Sequence, residues 1–475
     1  MDHSAYSSPF SWRYGRAELR ELFSERERRR LWRSVWVALA RSQERAGLVS
    51  AAEAADLEAH AGGVDIEAAL KIEREIGHDL MAELRVFASQ AREGGGKLHL
   101  GATSMDVEDT VEAYRIRRAL SLVGARLHAV LHAFRPRIVE YAGLVCLGYT
   151  HLQPAEPTTL GYRLAAYAQD LLIDEGELRN VYQQVTAKGI RGAVGTSASF
   201  ERLLRGSGRT ARDQEEDVLA HFDLTAREVS GQTYPRKLDY LVISALAGVG
   251  ASLSKFAADV RILSSPGFGE MFEPFGAKQV GSSAMPFKRN PVMAERIGSL
   301  ARLLPAYANV VWQNAATNYL ERTLDDSANR RTVLPESFLC ADVLLGLALK
   351  IVEGLRVDER RIGQNLRAFG PFAGSEAVLL EAVKAGGDRQ VLHEVIRQAS
   401  MSAHDAVASG RDNPLAQLLA DDKQLTALLD PAEIRALLDP SDHIGDAPER
   451  ARRLADQIAA LTPFPEPRTL LGASS

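Results

Sequence analysis

The stretch Asp109–Glu140, DTVEAYRIRRALSLVGARLHAVLHAFRPRIVE, decides the fold. Its apolar residues fall at Ile116, Leu120, Val123, Leu127, Val130, Phe134 and Ile138. Steps of three and four draw one stripe down a helix, because residues so spaced share a face. Leu238, Val242, Ala245, Val249, Phe256, Val260 and Leu263 repeat the pattern. Leu164, Ala168, Leu171, Leu178, Tyr182 and Val185 follow it more loosely. A single stripe on a long helix leaves apolar surface in water, so such helices need partners. Alternating strand patterns are scarce. The expected fold is all-α, a bundle of long helices that associates with further copies to cover its remaining apolar faces.

Breaks in the pattern set the expected organisation. Gly94–Gly96 marks a loop before HLGATS, and SSPGFGE at Ser264–Glu270 interrupts the helices again. Gly354–Asp358 reads as a boundary. Three regions are expected: an N-terminal helical domain over 1–103, a central long-helix bundle over 104–356 and a C-terminal helical domain over 357–475. The proline-rich tail TPFPEPRTLLGASS, Thr462–Ser475, reads as a frayed end.

Composition narrows the function classes. Of the 475 residues, 46% are apolar and 25% charged, enough to build a large core. The net charge is -5, from 57 basic and 62 acidic residues that are well mixed, which argues against nucleic acid or an anionic membrane as partner. The densest basic run, Arg26–Arg30, is interleaved with Glu25 and Glu27 and reads as a solvated helix face. Cys146 and Cys340 are far apart and give neither a disulfide framework nor metal-ligand spacing. The first residues, MDHSAYSSPFSWRYG, lack the apolar core of a secretory signal, and no uncharged run approaches the length of a membrane span. A reducing cytoplasm is the expected location.

Three segments carry chemistry. Gly281–Arg296, GSSAMPFKRNPVMAER, sets two serines, Lys288, Arg289 and Asn290 between prolines that forbid a regular helix. Such a loop can offer hydroxyls, backbone N–H groups, an ammonium and an amide to one anion; it can equally be a polar turn with an incidental lysine. Tyr149–Arg163, YTHLQPAEPTTLGYR, places His151 just ahead of a helical pattern. A lone histidine there is more often structural than catalytic. In His99–Thr110, HLGATSMDVEDT, Ser104 suits a helix N-cap with Asp106 and Glu108 in the first turn. The N–H groups of a helix start also attract anions.

Together these segments resemble the fumarase/aspartase superfamily, whose signature GSSxMPxKxNP is matched in full. The resemblance implies a three-domain all-α fold with a tetramer core, and active sites shared between three subunits. It implies a mobile loop on which Ser282 is the general base, with Lys288 and Asn290 holding a substrate carboxylate. It implies that His151, within THxQPAxPTT, is the general acid, with Thr150 beside the substrate. Thr103 and Ser104 bind a carboxylate on the same reading, Arg296 lies just past the signature, and Asp109 is structural. No metal or organic cofactor is implied.

Within the superfamily the chain resembles the adenylosuccinate lyase family over almost its whole length. SPFSWRY supplies Arg13 and Tyr14, GHDLMAEL supplies His78 and Asp79, and GQTYPRKLDY supplies Gln232. ERTLDDSANRR, Glu321–Arg331, supplies Arg322, Ser327 and Arg331, while KAGGDRQVLHEVIR matches a C-terminal motif. The family uses Arg13, Tyr14, Arg322, Ser327 and Arg331 around the nucleotide, and arginine forks suit its phosphate. Read alone, RTLDDSANRR is equally a helix-start ion-pair cluster of Asp325 and Asp326 with Arg330 and Arg331. The implied reaction is β-elimination of fumarate from a succinylated purine nucleotide, giving AMP or aminoimidazole carboxamide ribotide in purine biosynthesis.

Three departures stand out. Gly77 replaces a basic residue before HD, Tyr162 replaces a lysine, and Met293 and Ala294 replace an Arg-Ser pair. They leave open a paralogous lyase acting on another succinyl-amine, such as argininosuccinate, aspartate or a nitrosuccinate-like substrate. A catalytically silent protein on the same scaffold is disfavoured, because Ser282, His151, Lys288 and Asn290 are all present.

Overall fold

The computed structural model describes residues 4–470. Its principal helices are α1 (Glu25–Arg45), α2 (Asp79–Gln90), α3 (Ser104–Glu140), α4 (Leu160–Gln184), α5 (Lys237–Leu263), α6 (Val292–Leu300), α7 (Leu303–Ala316), α8 (Ser327–Glu353) and α9 (Ala447–Ala459). Two small antiparallel hairpins complete the elements, β1 (Val145–Thr150) with β2 (Gln153–Thr159) and β3 (Met271–Phe272) with β4 (Arg356–Val357).

The stripes predicted from spacing form the core. All seven stripe residues of α3, from Ile116 to Ile138, are buried, as are the six from Leu164 to Val185. In α5 only Ala245 of the set stays partly open. Helices α3, α4, α5 and α8 pack on one another, and α9 returns to lie on α3 and α4. The main hydrophobic cluster runs from Phe10 to Ile362 and takes in Ala451, Leu454, Ala455 and Ile458 of α9. A separate cluster, Val378 to Leu438, fills the C-terminal helices.

Three readings need correction. The run Arg26–Arg30 is not wholly solvated: Arg29 is 1% exposed and binds Glu25, Glu73 and Glu83, because α1 turns that side toward other helices. The cap of α3 is Thr103 rather than Ser104, and Asp106 closes a capping box by accepting from the Thr103 N–H at 2.8 Å. The described part of the tail, Thr462–Leu470, packs on the core, because the Phe464 ring fills the space over Gly124, where a Cβ would lie 2.4 Å from it; the rest of the tail lies outside the described residues. Apart from these corrections, α5 and α8 are long and apolar enough by length and composition alone to cross a membrane, a test that the buried core helices of a bundle also pass. In the bundle α8 is 72% buried over its most apolar window and α5 only 44%.

Candidate active site

The first group of site residues gathers where α2, α3 and α8 begin. His78 caps α2, and its Nε2 lies 3.3 Å from Ser104 Oγ. Thr103 and Ser104 stand at the start of α3, where the Thr103 N–H is taken by Asp106. Asp79 accepts from Arg331 Nη2 at 2.7 Å and lies 3.8 Å from Arg28. Burial pushes the Asp79 carboxyl up, but Arg331, the Leu80 N–H and Arg28 outweigh it and hold it below its usual range. Ser327 and Arg331 line a small recess with Glu108. Burial, then the charges of Asp79 and Asp109, raise the Glu108 carboxyl to about 7 against the pull of Arg28 and Arg331.

Gln232 and Arg322 lie beside each other, since the Gln232 N–H donates to Glu321 O at 3.0 Å. The Gln232 side chain donates to Ala193 O at 3.0 Å. Arg322 donates to Asp326 at 3.0 Å, and Asp326 also takes Arg236 Nε at 2.5 Å. Arg236 is fully buried and reaches Asp109 at 3.1 and 3.2 Å. This network ties the start of α8 to α3. The ion pairs read in RTLDDSANRR are thus redistributed: Asp326 pairs with Arg236 and Arg322, Arg330 with Asp239, and Arg331 with Asp79. Asp109 is structural, as expected.

His151 does not directly precede a helix; it occupies the two-residue turn joining β1 to β2, with Thr150 opposite Gln153. His151 and Leu152 have φ of 54° and 60°. Two-residue hairpins need positive φ, which is strained for a residue as bulky as leucine, so the flanking structure must impose it. Below the turn, Glu270 is buried and accepts from Tyr149 Oη at 2.8 Å, Asn365 at 2.8 Å and Arg163 at 3.3 Å. The imidazole stands exposed on a braced hairpin. Thr150 lines a broad groove between this hairpin and the C-terminal helices.

The signature loop stands apart from all of these. Ser282 Oγ accepts from the N–H groups of Met285 at 3.1 Å and Ala284 at 3.3 Å. Two donors on that oxygen favour its charged form, which a serine acting as base requires. The Asn290 amide donates to Gly281 O at 2.9 Å, and Lys288 is exposed. Arg13, Tyr14 and Arg296 meet at a fourth place, a cavity against α8. In one copy of the chain, therefore, the site residues form four separate groups, and Ser282 and His151 do not touch.

Sequence reasoning missed the residues that brace these groups. Lys188 pairs with Asp106 beneath the Thr103 cap, and Asp106 also accepts from the Arg191 and Gly192 N–H groups. Glu273 caps α6 by accepting from the Met293 and Ala294 N–H groups at 3.1 and 2.9 Å. The only hint was the acid three residues after Thr103; nothing local marks Lys188 or Glu273.

The family model described as "Lyase" matches residues 14–303, and that of "Adenylosuccinate lyase C-terminus" matches 371–454. The adenylosuccinate lyase of Schizosaccharomyces pombe is 36% identical over 98% of this chain and 97% of its own. The chain belongs to the adenylosuccinate lyase family. The adenylosuccinate lyases of Schistosoma mansoni and Pyrococcus horikoshii are 37% and 32% identical over 88% and 95% of this chain, covering 88% and 97% of theirs. Among solved structures, the 3-carboxy-cis,cis-muconate lactonizing enzyme of Pseudomonas putida superposes with a TM-score of 0.83 at 28% identity, covering 96% of this chain and 100% of that one. The chain thus shares its scaffold with an enzyme named for another reaction, so side chains rather than fold must carry the assignment.

The departures from the family pattern have local explanations. Gly77 ends the helix Ile66–Ile76 with φ of 68°, a left-handed cap that a basic residue would strain. Tyr162 lies in a cleft with Arg450 and Arg453 of α9. Met293 and Ala294 meet Glu273 through their backbone, while Ala294 is buried in the main hydrophobic cluster and Met293 packs against it, so uncharged side chains suit both positions.

Proposed function

We propose that this chain splits a succinylated purine nucleotide by trans-elimination, releasing fumarate and the purine amine, with adenylosuccinate as the test substrate. Ser282 Oγ takes the proton from the carbon beside a carboxylate. The electron pair of that C–H bond becomes the C=C bond of fumarate. The C–N bond breaks, its pair passes to nitrogen, and His151 protonates that nitrogen. Lys288 and Asn290 stabilise the charge that builds on the carboxylate before departure. Thr103, Ser104 and Gln232 hold the succinyl end.

The observation that carries this reading is the pair of N–H groups on Ser282 Oγ, at 3.1 and 3.3 Å, in an exposed loop beside an exposed Lys288. The same two contacts close an ordinary serine turn, and they also leave Ser282 Oγ facing donors that favour its charged form, as a serine acting as a base requires.

The reading requires self-association. His151 and Ser282 lie in different groups, so partners must bring them together. The open face of α5 supports this, as do Ile173 and Trp312, which are 61% and 49% exposed. A homotetramer sharing each site among three chains, acting in the cytoplasm, fits these faces. The test is fumarate absorbance with adenylosuccinate. Ser282→Ala and His151→Ala are each expected to lose at least about 10²-fold in kcat. Co-expressed, the two inactive chains are expected to recover part of the activity in mixed assemblies. Undiminished turnover by Ser282→Ala removes the base assignment, and no recovery on mixing removes the shared site.

A further inference from the structure

The family resemblance gives Glu108 no role, and its sequence reads it only as an acid in the first turn of α3. The structure sets it beside two residues expected around the nucleotide. Glu108 lies one helical turn beyond Ser104, so the two share a face of α3. Ser327 and Arg331 stand one turn apart at the start of α8 and line the same recess.

The charged groups around this recess come from four helices, and all but one have an opposite charge. From α1, Arg28 binds Glu25 at 2.8 Å and lies 3.8 Å from Asp79. From α2, Asp79 takes Arg331 at 2.7 Å. On α3, Glu112 meets Arg115 at 3.4 Å and Asp109 meets Arg236 at 3.1 Å. On α8, Arg330 meets Asp239 at 2.8 Å. His78 caps α2 and reaches Ser104. Among the described residues Glu108 makes no ion pair or hydrogen bond, although it is half-buried.

That one unmatched carboxyl decides what the recess offers an anion. The arginines there are already matched, so a charged Glu108 is surplus negative charge and repels a phosphate at Ser327 and Arg331. A neutral Glu108 removes the repulsion and presents an O–H to a phosphate oxygen. Burial, then Asp79 and Asp109, lift its carboxyl to about 7, so both forms are accessible near neutral pH.

We infer that Glu108 is a specificity-determining residue: it sets the charge of the recess at Ser327 and Arg331 and, in its neutral form, donates to the nucleotide's phosphate. The inference rests on the proposed reaction with a phosphorylated substrate. Binding above neutral pH then takes one proton from solvent onto Glu108.

The experiment measures AMP and adenosine binding by calorimetry across pH for the wild type and Glu108→Gln, with fumarate release from adenylosuccinate in parallel. AMP affinity should follow the neutral fraction of Glu108, which falls about tenfold between about pH 6 and 8 for a group titrating at about 7. Glu108→Gln is neutral throughout and keeps a donor, so its AMP affinity should not show that fall. Adenosine lacks the phosphate and should show none in either protein. The phosphate's own titration near about pH 6 is common to both proteins and cancels in their ratio. Buffers of different ionisation heat should show the wild type taking up close to one proton per site at about pH 8, a reading that needs no variant.

A Glu108→Gln profile as steep as the wild type's overturns the proposal and moves the pH dependence to His78. Adenosine falling in step with AMP overturns it too, as does a wild type that takes up no proton. In each case fumarate release by the wild type upholds the reaction. Wild type that shows the AMP profile and releases no fumarate overturns the reaction and supports the role of Glu108. Wild type that fails to bind AMP overturns that role.

Discussion

Gly281→Ala tests whether the signature loop works through its backbone geometry. An added Cβ would lie 2.0 Å from the carbonyl oxygen of Lys288 and 3.1 Å from its carbonyl carbon. Ordinary contact needs about 3.4 Å, so the two strands of the loop must part by about 1.4 Å. The obstacle is backbone, so no rotamer change relieves it. Parting them also pulls Gly281 O from the Asn290 amide, now at 2.9 Å, and moves Ser282 relative to Lys288. A displacement of about 1 Å in a catalytic group costs about 10²-fold in rate. Stability is expected to change little, because Ser283 to Arg289 are exposed and the loop adds little to the core. The assay is steady-state fumarate release, with a thermal melt alongside. The expected result is a fall of about 10²-fold in kcat with Tm within about 3 °C of wild type. A variant retaining more than a third of wild-type kcat would refute the claim that the closed turn at Gly281 positions Ser282.

The remaining predictions concern stability. Glu108 holds its proton more tightly when folded, since its pKa rises from the ordinary 4.5 to about 7. Its contribution is full below about 4.5 and is lost as pH rises through about 7, so it disfavours the fold at alkaline pH. Between pH 5 and 8 the wild type should lose about 1–2 kcal/mol more than Glu108→Gln in urea unfolding, allowing for solvent at the recess; equal losses would show that Glu108 titrates normally. Phe464→Ala empties the space over Gly124 and removes the ring against Tyr182 and His128, and should cost about 3 kcal/mol; a loss below about 1 kcal/mol would return the tail to the status of a frayed end.

The sequence by itself determined the long helices and the chemistry they serve. Helix periodicity is local, because residues three and four apart must share a face whatever surrounds them, so the stripes of α3, α4 and α5 were legible. The signature segments were legible through their resemblance to a known family; read alone, the loop with Ser282, Lys288 and Asn290 could be a polar turn and His151 a structural histidine. Tertiary structure decided what those residues face. Arg29 reads as one more charge in a basic run until α2 and the helix before it bring Glu83 and Glu73 to it. Asp326 has neighbouring arginines in sequence but takes Arg236 from α5's start, because burial selects the partner that completes a desolvated network. Arg126 of α3 joins Arg13 and Arg296 on one cavity because Gly346 of α8 leaves room for it. Such pairings depend on contacts between residues far apart in the chain, which no local pattern encodes.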